Sequence, residues 1–299
     1  MRAVVLAGGY AKRLWPITLD RPKPLLPVAG RPLLDWIMDR IPAGSPPLLS
    51  VNRRFAQAFA DWARGRPVEL VVEETRSEEE KLGSMGALGY VVERTGVDDD
   101  LLVIGGDNLF EAELGGFVEA FRGQTIVALH DLADPAEARL RYGVAVVEEG
   151  RVVGFQEKPR VPRSALVSTA CFLFPRHVLP LFREYLVSAE AGHDTPGYFL
   201  EWLLLREPIE PFMLDGGWYD IGNRETYIEA NLRHTGGKSW IHPEAEVEDS
   251  VVERSVVLGP CQIENSRLTG CVVDEGARLL GVHLRDVLIG RASWLRGDG

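Results

Sequence analysis

The feature that most limits how this chain can fold is a series of short apolar runs with almost no polar alternation, at residues 3–7, 48–51, 68–72, 101–104 and 125–129. A strand with one wet face alternates apolar and polar residues, whereas a strand covered on both faces does not. Helical spacing fills the gaps between these runs. Leu33, Leu34, Trp36, Ile37 and Ile41 share one side of a predicted helix, and Phe55, Ala58, Phe59 and Trp62 fall at i, i+3, i+4 and i+7 before Gly65. Such an alternation predicts an α/β, doubly wound sheet, parallel over its first strands. From Tyr142 the pattern changes: residues 143–148 and 151–155 flank Glu149-Gly150, the signal of an antiparallel hairpin, so the expected sheet is mixed.

The first run ends in Gly8-Gly9, where no Cβ blocks the approach of a ligand to the backbone. Lys12, Arg13, Arg21 and Lys23 follow, the last held between Pro22 and Pro24, which predicts a stiff, extended segment. Bare amides followed by four cations suit a polyanion, and a nucleoside triphosphate is the candidate. The chain as a whole is acidic, with a formal net charge of −11, so these cations contrast with the rest of it. That balance argues against general nucleic-acid binding, which requires a basic face. The three cysteines, Cys171, Cys261 and Cys271, contain no Cys-x-x-Cys and read as small core residues, not as a disulfide frame or zinc site. No apolar run approaches membrane-spanning length, and the N-terminal run is too short for a signal peptide, so a cytoplasmic location is expected.

The N-terminal segment resembles the signature of the sugar-1-phosphate nucleotidylyltransferases, Leu-x-Gly-Gly-x-Gly-x-Arg-Leu-x-Pro-x-Thr followed by Pro-Lys-Pro. Leu6, Gly8, Gly9, Arg13, Leu14, Pro16, Thr18, Pro22, Lys23 and Pro24 stand in register with it. Ala11 replaces the third glycine, so an ordinary φ is expected there. The resemblance implies a Rossmann-like doubly wound mixed sheet, the nucleotide-diphospho-sugar transferase fold, and a Mg²⁺-dependent reaction between a nucleoside triphosphate and a sugar 1-phosphate. Arg13 and Lys23 are its catalytic cations, and the backbone of Leu6, Ala7, Gly8 and Gly9 its nucleotide loop. Residues 82–88 resemble the family's Leu-Gly-Thr-Ala-Gly-Ala, whose backbone near Gly83 meets the base, and Ser84 is a candidate helix cap.

Asp107 follows Gly105-Gly106 at the carboxyl end of the run 101–104, where open α/β sheets bind ligands. Residues there suit a divalent metal holding a triphosphate; the competing reading is a cap for a helix carrying Leu114, Phe117, Val118 and Phe121. In the resembling family the Gly-Asp-Asn aspartate binds Mg²⁺ and the nucleotide, with the asparagine, here Asn108, near the sugar. Glu157-Lys158-Pro159 resembles the family's sugar and sugar-phosphate contact, joined by Gly143 and Thr169. Ala170 stands where that family often places a glycine. Trp218-Tyr-Asp220-Ile-Gly222 resembles Trp-x-Asp-x-Gly, whose aspartate is the second metal ligand; on residues alone Asp220 is a turn former. Glu73, Glu74, Glu78, Glu79 and Glu80 make an acidic loop, most of whose carboxylates read as solvated.

From Ile241, apolar residues recur every five or six positions between Pro243, Gly259-Pro260, Gly276 and Gly281. This period predicts a short left-handed β-helix of about three coils, an imperfect hexapeptide solenoid. The expected domains are thus a catalytic one at 1–236 and a β-helix at 237–299, the latter capping the fold or pairing subunits into a homo-oligomer. Glucose 1-phosphate with dTTP or UTP is the expected substrate pair, with mannose 1-phosphate or heptose 1-phosphate and GTP as the alternative. A non-catalytic regulatory relative is the competing class, opposed by the retention of Arg13, Lys23, Asp107, Lys158 and Asp220 together. A dinucleotide-dependent oxidoreductase is disfavoured because Gly8-Gly9-Tyr10-Ala11 lacks the G-x-G-x-x-G spacing.

Overall fold

The computed structural model describes residues 1–188 and 194–297; the last two positions of the expected 237–299 segment lie outside the described residues. The chain forms two compact units, Met1–Gly9 with Ile37–Trp218 and Tyr10–Trp36 with Tyr219–Gly299. The division runs through the N-terminal signature, placing Gly8 and Gly9 in the first unit and Arg13 and Lys23 in the second.

The first unit is built on a nine-stranded sheet. Its strands are β1 (Arg2–Leu6), β2 (Leu48–Asn52), β3 (Glu69–Glu73), β4 (Leu101–Gly105), β5 (Thr125–Asp131), β6 (Gly143–Glu148), β7 (Arg151–Glu157), β8 (Leu166–Phe174) and β9 (Ile209–Met213). Across the sheet they run β3-β2-β1-β4-β8-β5-β9-β7-β6. The first four are mutually parallel and β9 is parallel to β5, while β8 and β7 run antiparallel to their neighbours. The sheet is therefore mixed. Val4 and Val5 point to opposite faces of β1, and both are fully buried. That double burial is what the missing alternation requires.

The helices are α1 (Leu33–Arg40), α2 (Ala56–Ala63), α3 (Gly83–Thr95), α4 (Gly115–Glu119), α5 (Leu179–Ser188), α6 (Pro196–Leu203) and α7 (Arg224–His234). Leu88 and Val91 of α3, Phe182 of α5 and Phe199 of α6 share one core with Val4, Val103 and Phe174 of the sheet. Phe174, Phe182 and Phe199 meet edge-to-face there, the geometry favoured by the ring quadrupoles. Two local expectations fail. The helix expected around 114–121 spans only Gly115–Glu119, since two glycines at its start cost backbone entropy. Ser84 does not cap α3; Leu82 occupies the N-cap position and Ser84 already lies within the helix. The hairpin between β6 and β7 forms as expected, with Glu149 and Gly150 both at positive φ.

In the second unit α7 is closed by a capping box between Asn223 and Thr226. Three parallel ladders follow. Trp240, Val256, Val272 and Leu288 are in register, as are Val247, Ile263, Leu279 and Leu295, and Val252, Leu268 and Leu284. The repeat is 16 residues long, as the pairing of Ser255 with Ser239 shows, and not a multiple of six. Val257, Ile263, Leu268, Val273 and Leu279 fill the interior. Left-handed residues turn the corners, and three of them, Asp249, Arg254 and Asn265, are followed by a serine. Those serines stitch the repeats: Ser255 N–H donates to Ser239 Oγ, Cys271 N–H to Ser255 Oγ, Ser266 N–H to Ser250 Oγ and Val282 N–H to Ser266 Oγ. All three cysteines are buried thiols.

Candidate active site

In the first unit the carboxyl ends of β1 and β4 are joined by backbone. Gly106 N–H donates to the Leu6 carbonyl at 2.8 Å, and Ala7 N–H to the Ser50 carbonyl at 2.8 Å. A Cβ on Gly106 would stand 2.8 Å from that Leu6 oxygen, so only glycine permits the approach. Gly8 is fixed in turn by Asn52, whose Nδ2 donates to the Gly8 carbonyl at 2.9 Å. Gly9 is exposed, with nothing within 4 Å of where its Cβ would begin. The turn thus presents open backbone at the end of the sheet where ligands of open α/β folds bind.

Glu73 belongs to this turn and not to a solvated loop. It ends β3, is 3% exposed, and accepts from Ser50 Oγ at 2.8 Å. A Cβ on Gly8 would lie 2.6 Å from Glu73 Oε1. Burial pushes the Glu73 carboxyl above the usual carboxylate range, against the opposing pull of the Ser50 hydroxyl. The signal in the sequence was period two: Glu73 falls on the same face as Val71, which is buried.

Asp107 sits half-buried in the turn after β4. Asn108 Nδ2 donates to Asp107 Oδ1 at 2.8 Å, and Trp218 Nε1 donates to Asn108 Oδ1 at 2.9 Å. Asn108 is 3% exposed. Both ends of its amide are engaged, so it orients the Asp107 carboxylate. The helix-cap reading of Asp107 does not hold, because Leu114 is the N-cap of α4.

Gly83 has φ +71°, and a Cβ there would collide with the Asp194 carboxylate. Asp194 in turn accepts from Met85 N–H at 2.9 Å through its carbonyl, which closes the start of α3. Glu157 ends β7 with Lys158 beside it at positive φ, Nζ 3.4 Å from Glu157 Oε1. Lys158 N–H donates to the Tyr142 carbonyl at 3.1 Å, which holds this sparsely populated conformation. Side chains at Gly143 or Gly197 would begin 3.2 and 2.0 Å from Glu157 Oε2, so both glycines clear room for it. Burial raises the Glu157 carboxyl and Lys158 opposes the shift. Thr169 is fully buried and its hydroxyl donates to the Ala128 carbonyl at 3.0 Å, leaving backbone as what it can offer a ligand. Ala170 follows at φ 54°, in the irregularity of β8 between Ser168 and Phe172.

In the second unit three expectations are corrected. Ala11 is left-handed, φ 50° and ψ 41°, not ordinary. Its carbonyl accepts from Thr18 Oγ1 at 2.9 Å and Leu14 N–H at 3.0 Å, and these bonds enforce a conformation that costs an L-residue about 1–2 kcal/mol. Lys23 does not stand on an extended segment. It opens a single 3₁₀ turn, Lys23–Leu25, because Pro24 falls within the first turn, where no N–H is needed; Lys23 itself is 9% exposed. Arg21 faces Asp274 and Glu275, at 3.3 and 3.7 Å, instead of joining a polyanion site. Arg13 is exposed, and its Nη2 and Asp220 Oδ2 each lie 3.2 Å from where a Cβ on Gly222 would stand. Glycine at 222 therefore lets this cation and this carboxylate converge.

Among the described residues, no group of three or more His, Cys, Asp or Glu could hold a metal by itself, and no helix is long and apolar enough to cross a membrane. Mg²⁺ is commonly held by one or two carboxylates together with substrate phosphates. Asp107, oriented by Asn108, and Asp220 supply donors of that hard oxygen type.

The sequence matches the Nucleotidyl transferase family over residues 2–236. The bifunctional protein GlmU of Methanocaldococcus jannaschii is 27% identical over 259 residues, 86% of this chain and 60% of that protein; the chain thus spans less than two thirds of that relative. The mannose-1-phosphate guanylyltransferase of Mycobacterium tuberculosis is 29% identical over 312 residues, 93% of this chain and 80% of that protein. A crystal structure from Bacillus anthracis, assigned as a glucose-1-phosphate thymidylyltransferase and solved with sucrose, superposes with a TM-score of 0.66 at 24% identity, covering 78% of this chain and 94% of that one. The last likeness concerns the fold.

Proposed function

The chain belongs to the nucleotidyl transferase family, and from that premise we propose that it transfers a nucleotidyl group from a nucleoside triphosphate to a sugar 1-phosphate, releasing pyrophosphate. The observation that carries this reading is the meeting of open glycine backbone at Gly8 and Gly9 with the turn bearing Asp107, through the Gly106–Leu6 hydrogen bond. A sugar-phosphate oxygen is already anionic at neutral pH, so attack on the α-phosphorus requires no general base. Alignment and charge neutralisation carry the rate. The Gly8-Gly9 backbone and Arg13 hold the β- and γ-phosphates and stabilise the departing pyrophosphate. Lys23 contacts the α-phosphate and the incoming phosphate, and Lys158 docks the latter. Glu157, an acceptor, receives sugar hydroxyls in the room cleared by Gly143 and Gly197. Gly83 lies at the base, and Asn108 keeps Asp107 aimed. Asp107 and Asp220 are the proposed Mg²⁺ ligands; the bound ion would neutralise phosphate charge.

The substrate pair we favour is glucose 1-phosphate with dTTP or UTP. GTP with mannose 1-phosphate or heptose 1-phosphate is the second reading, favoured by Leu82-Gly83-Ser84 and by the similarity to a guanylyltransferase. The finer architecture we propose is a Rossmann-like doubly wound domain at 1–236 and a left-handed β-helix from 237 that caps the fold or pairs subunits, in a cytoplasmic protein that binds neither nucleic acid nor membrane. A matrix of nucleoside triphosphates against sugar 1-phosphates, scored by pyrophosphate release, tests the reaction and identifies the pair. Asp107→Asn is expected to nearly abolish Mg²⁺-dependent release, and activity within a few-fold of wild type would overturn the metal assignment. Absence of pyrophosphate from every pair would favour the non-catalytic relative.

A further inference from the structure

Segment 10–36 and the parallel ladders fall in one compact unit, and individual contacts explain why. Arg21 Nη2 lies 3.3 Å from Asp274 Oδ1. Asp274 is 4% exposed and immediately follows the ladder strand Val272–Val273. Its N–H donates to the Ile289 carbonyl at 2.9 Å, and its Oδ1 accepts from Glu275 N–H at 2.9 Å. A buried aspartate fixed through its backbone N–H and its Oδ1 is an anchor for a guanidinium. Beyond Lys23 the segment is pinned again. Tyr227 Oη of α7 donates to the Pro27 carbonyl, and Ala29 N–H donates to Asn231 Oδ1 at 2.9 Å. Gly30, at φ +80°, lies so close to the Trp240 ring that a Cβ would stand 2.4 Å from it.

Lys23 is thus suspended between two anchorages, Arg21 on one side and Pro27–Gly30 on the other. Only one 3₁₀ turn lies between them, closed by Leu25 N–H to Pro22 and Leu26 N–H to Lys23. We propose that Asp274, acting through Arg21, is a positioning residue that sets where Lys23 stands, so that this one corner of the ladders, after Val272–Val273, bears on catalysis. The proposal rests on the reading of Lys23 as the cation that contacts both phosphates. Misplacing such a group by 1 Å costs on the order of 10²-fold in rate, with much less effect on ground-state binding.

The test is Asp274→Asn in the full chain, which keeps the shape and removes the charge. The expected result is a fall in kcat of about tenfold or more with KM for the triphosphate changed by less than about threefold. Amide exchange at Leu25, Leu26 and Ala29 should quicken by about tenfold. Arg21→Lys, which retains the charge but not the fork, should fall between wild type and Asp274→Asn. Ser266→Ala, which weakens the ladders away from this anchor, should lower Tm with kcat unchanged. Either a kcat within twofold of wild type in Asp274→Asn despite faster exchange, or an equal kcat loss in Ser266→Ala, would overturn the positioning role. If wild type releases no pyrophosphate from any substrate pair, the functional reading fails by itself. The exchange measurement still decides the anchor: faster exchange in Asp274→Asn supports it, and unchanged exchange overturns it.

Discussion

Replacing Gly8 by alanine puts a methyl 2.6 Å from Glu73 Oε1 and 3.0 Å from Oε2. Ordinary contact begins near 3.4 Å, so the carboxylate must retreat by about 0.8 Å. Glu73 is 3% exposed and tied to Ser50 at 2.8 Å, which leaves little room to swing. Breaking a hydrogen bond to a charged group costs about 1.5–3 kcal/mol, and overpacking a closed site costs about 1–3 kcal/mol. The two overlap, so the expected loss is roughly 2–4 kcal/mol, a fall in Tm of roughly 5–10 °C. The decisive comparison is a double-mutant cycle with Glu73→Ala, followed by denaturant unfolding. With the carboxylate gone, Gly8→Ala should cost less than about 1 kcal/mol, giving a coupling of roughly 1–3 kcal/mol. Equal cost of Gly8→Ala in both backgrounds would refute the argument that Glu73 is what requires glycine here.

Ala11→Gly should be neutral to stabilising by about 1 kcal/mol, because relief of the left-handed backbone slightly outweighs the added chain entropy. Ala56→Gly, where φ is −54°, should instead destabilise by about 0.5–1 kcal/mol, and like signs in thermal melts would refute the strain at Ala11. Glu73 and Glu157 both have raised folded pKa values, so the native state binds more protons than the unfolded chain above the ordinary value of 4.5. Stability should therefore fall as pH rises from about 4.5 through the raised values, and Glu73→Gln should flatten that slope in denaturant melts taken across the range. Arg13→Ala should lower kcat by about 10³-fold or more, and a change confined to the sugar-phosphate KM would count against its place on the departing pyrophosphate.

Much of the fold was legible because burial leaves a periodic trace. Runs without alternation marked β1, β2 and β4, and Glu149-Gly150 marked the hairpin, since both readings depend on neighbours a few residues apart. The ladder period was only roughly legible: apolar residues every five or six positions indicated short strands, but not that three of them share 16 residues. The site divided along the same line. Gly8, Gly9, Asp107, Glu157 and Lys158 stand in short motifs that can be read locally, whereas a run of acids masks the place of Glu73 on the Val71 face.

Local chemistry, readable along the chain, dictates which segments are strands, where glycine frees the backbone, and which cations and carboxylates are available. How those charges are used depends on packing between distant segments. Arg21 and Lys23 look alike in sequence, two residues apart beside prolines, yet Arg21 meets a carboxylate 253 residues away while Lys23 opens a buried 3₁₀ turn. Likewise Ala11 takes a left-handed backbone that its own side chain disfavours, because the hydrogen bonds its carbonyl receives there outweigh the strain. Contacts between residues so distant in the chain follow from three-dimensional packing, and no periodicity records them.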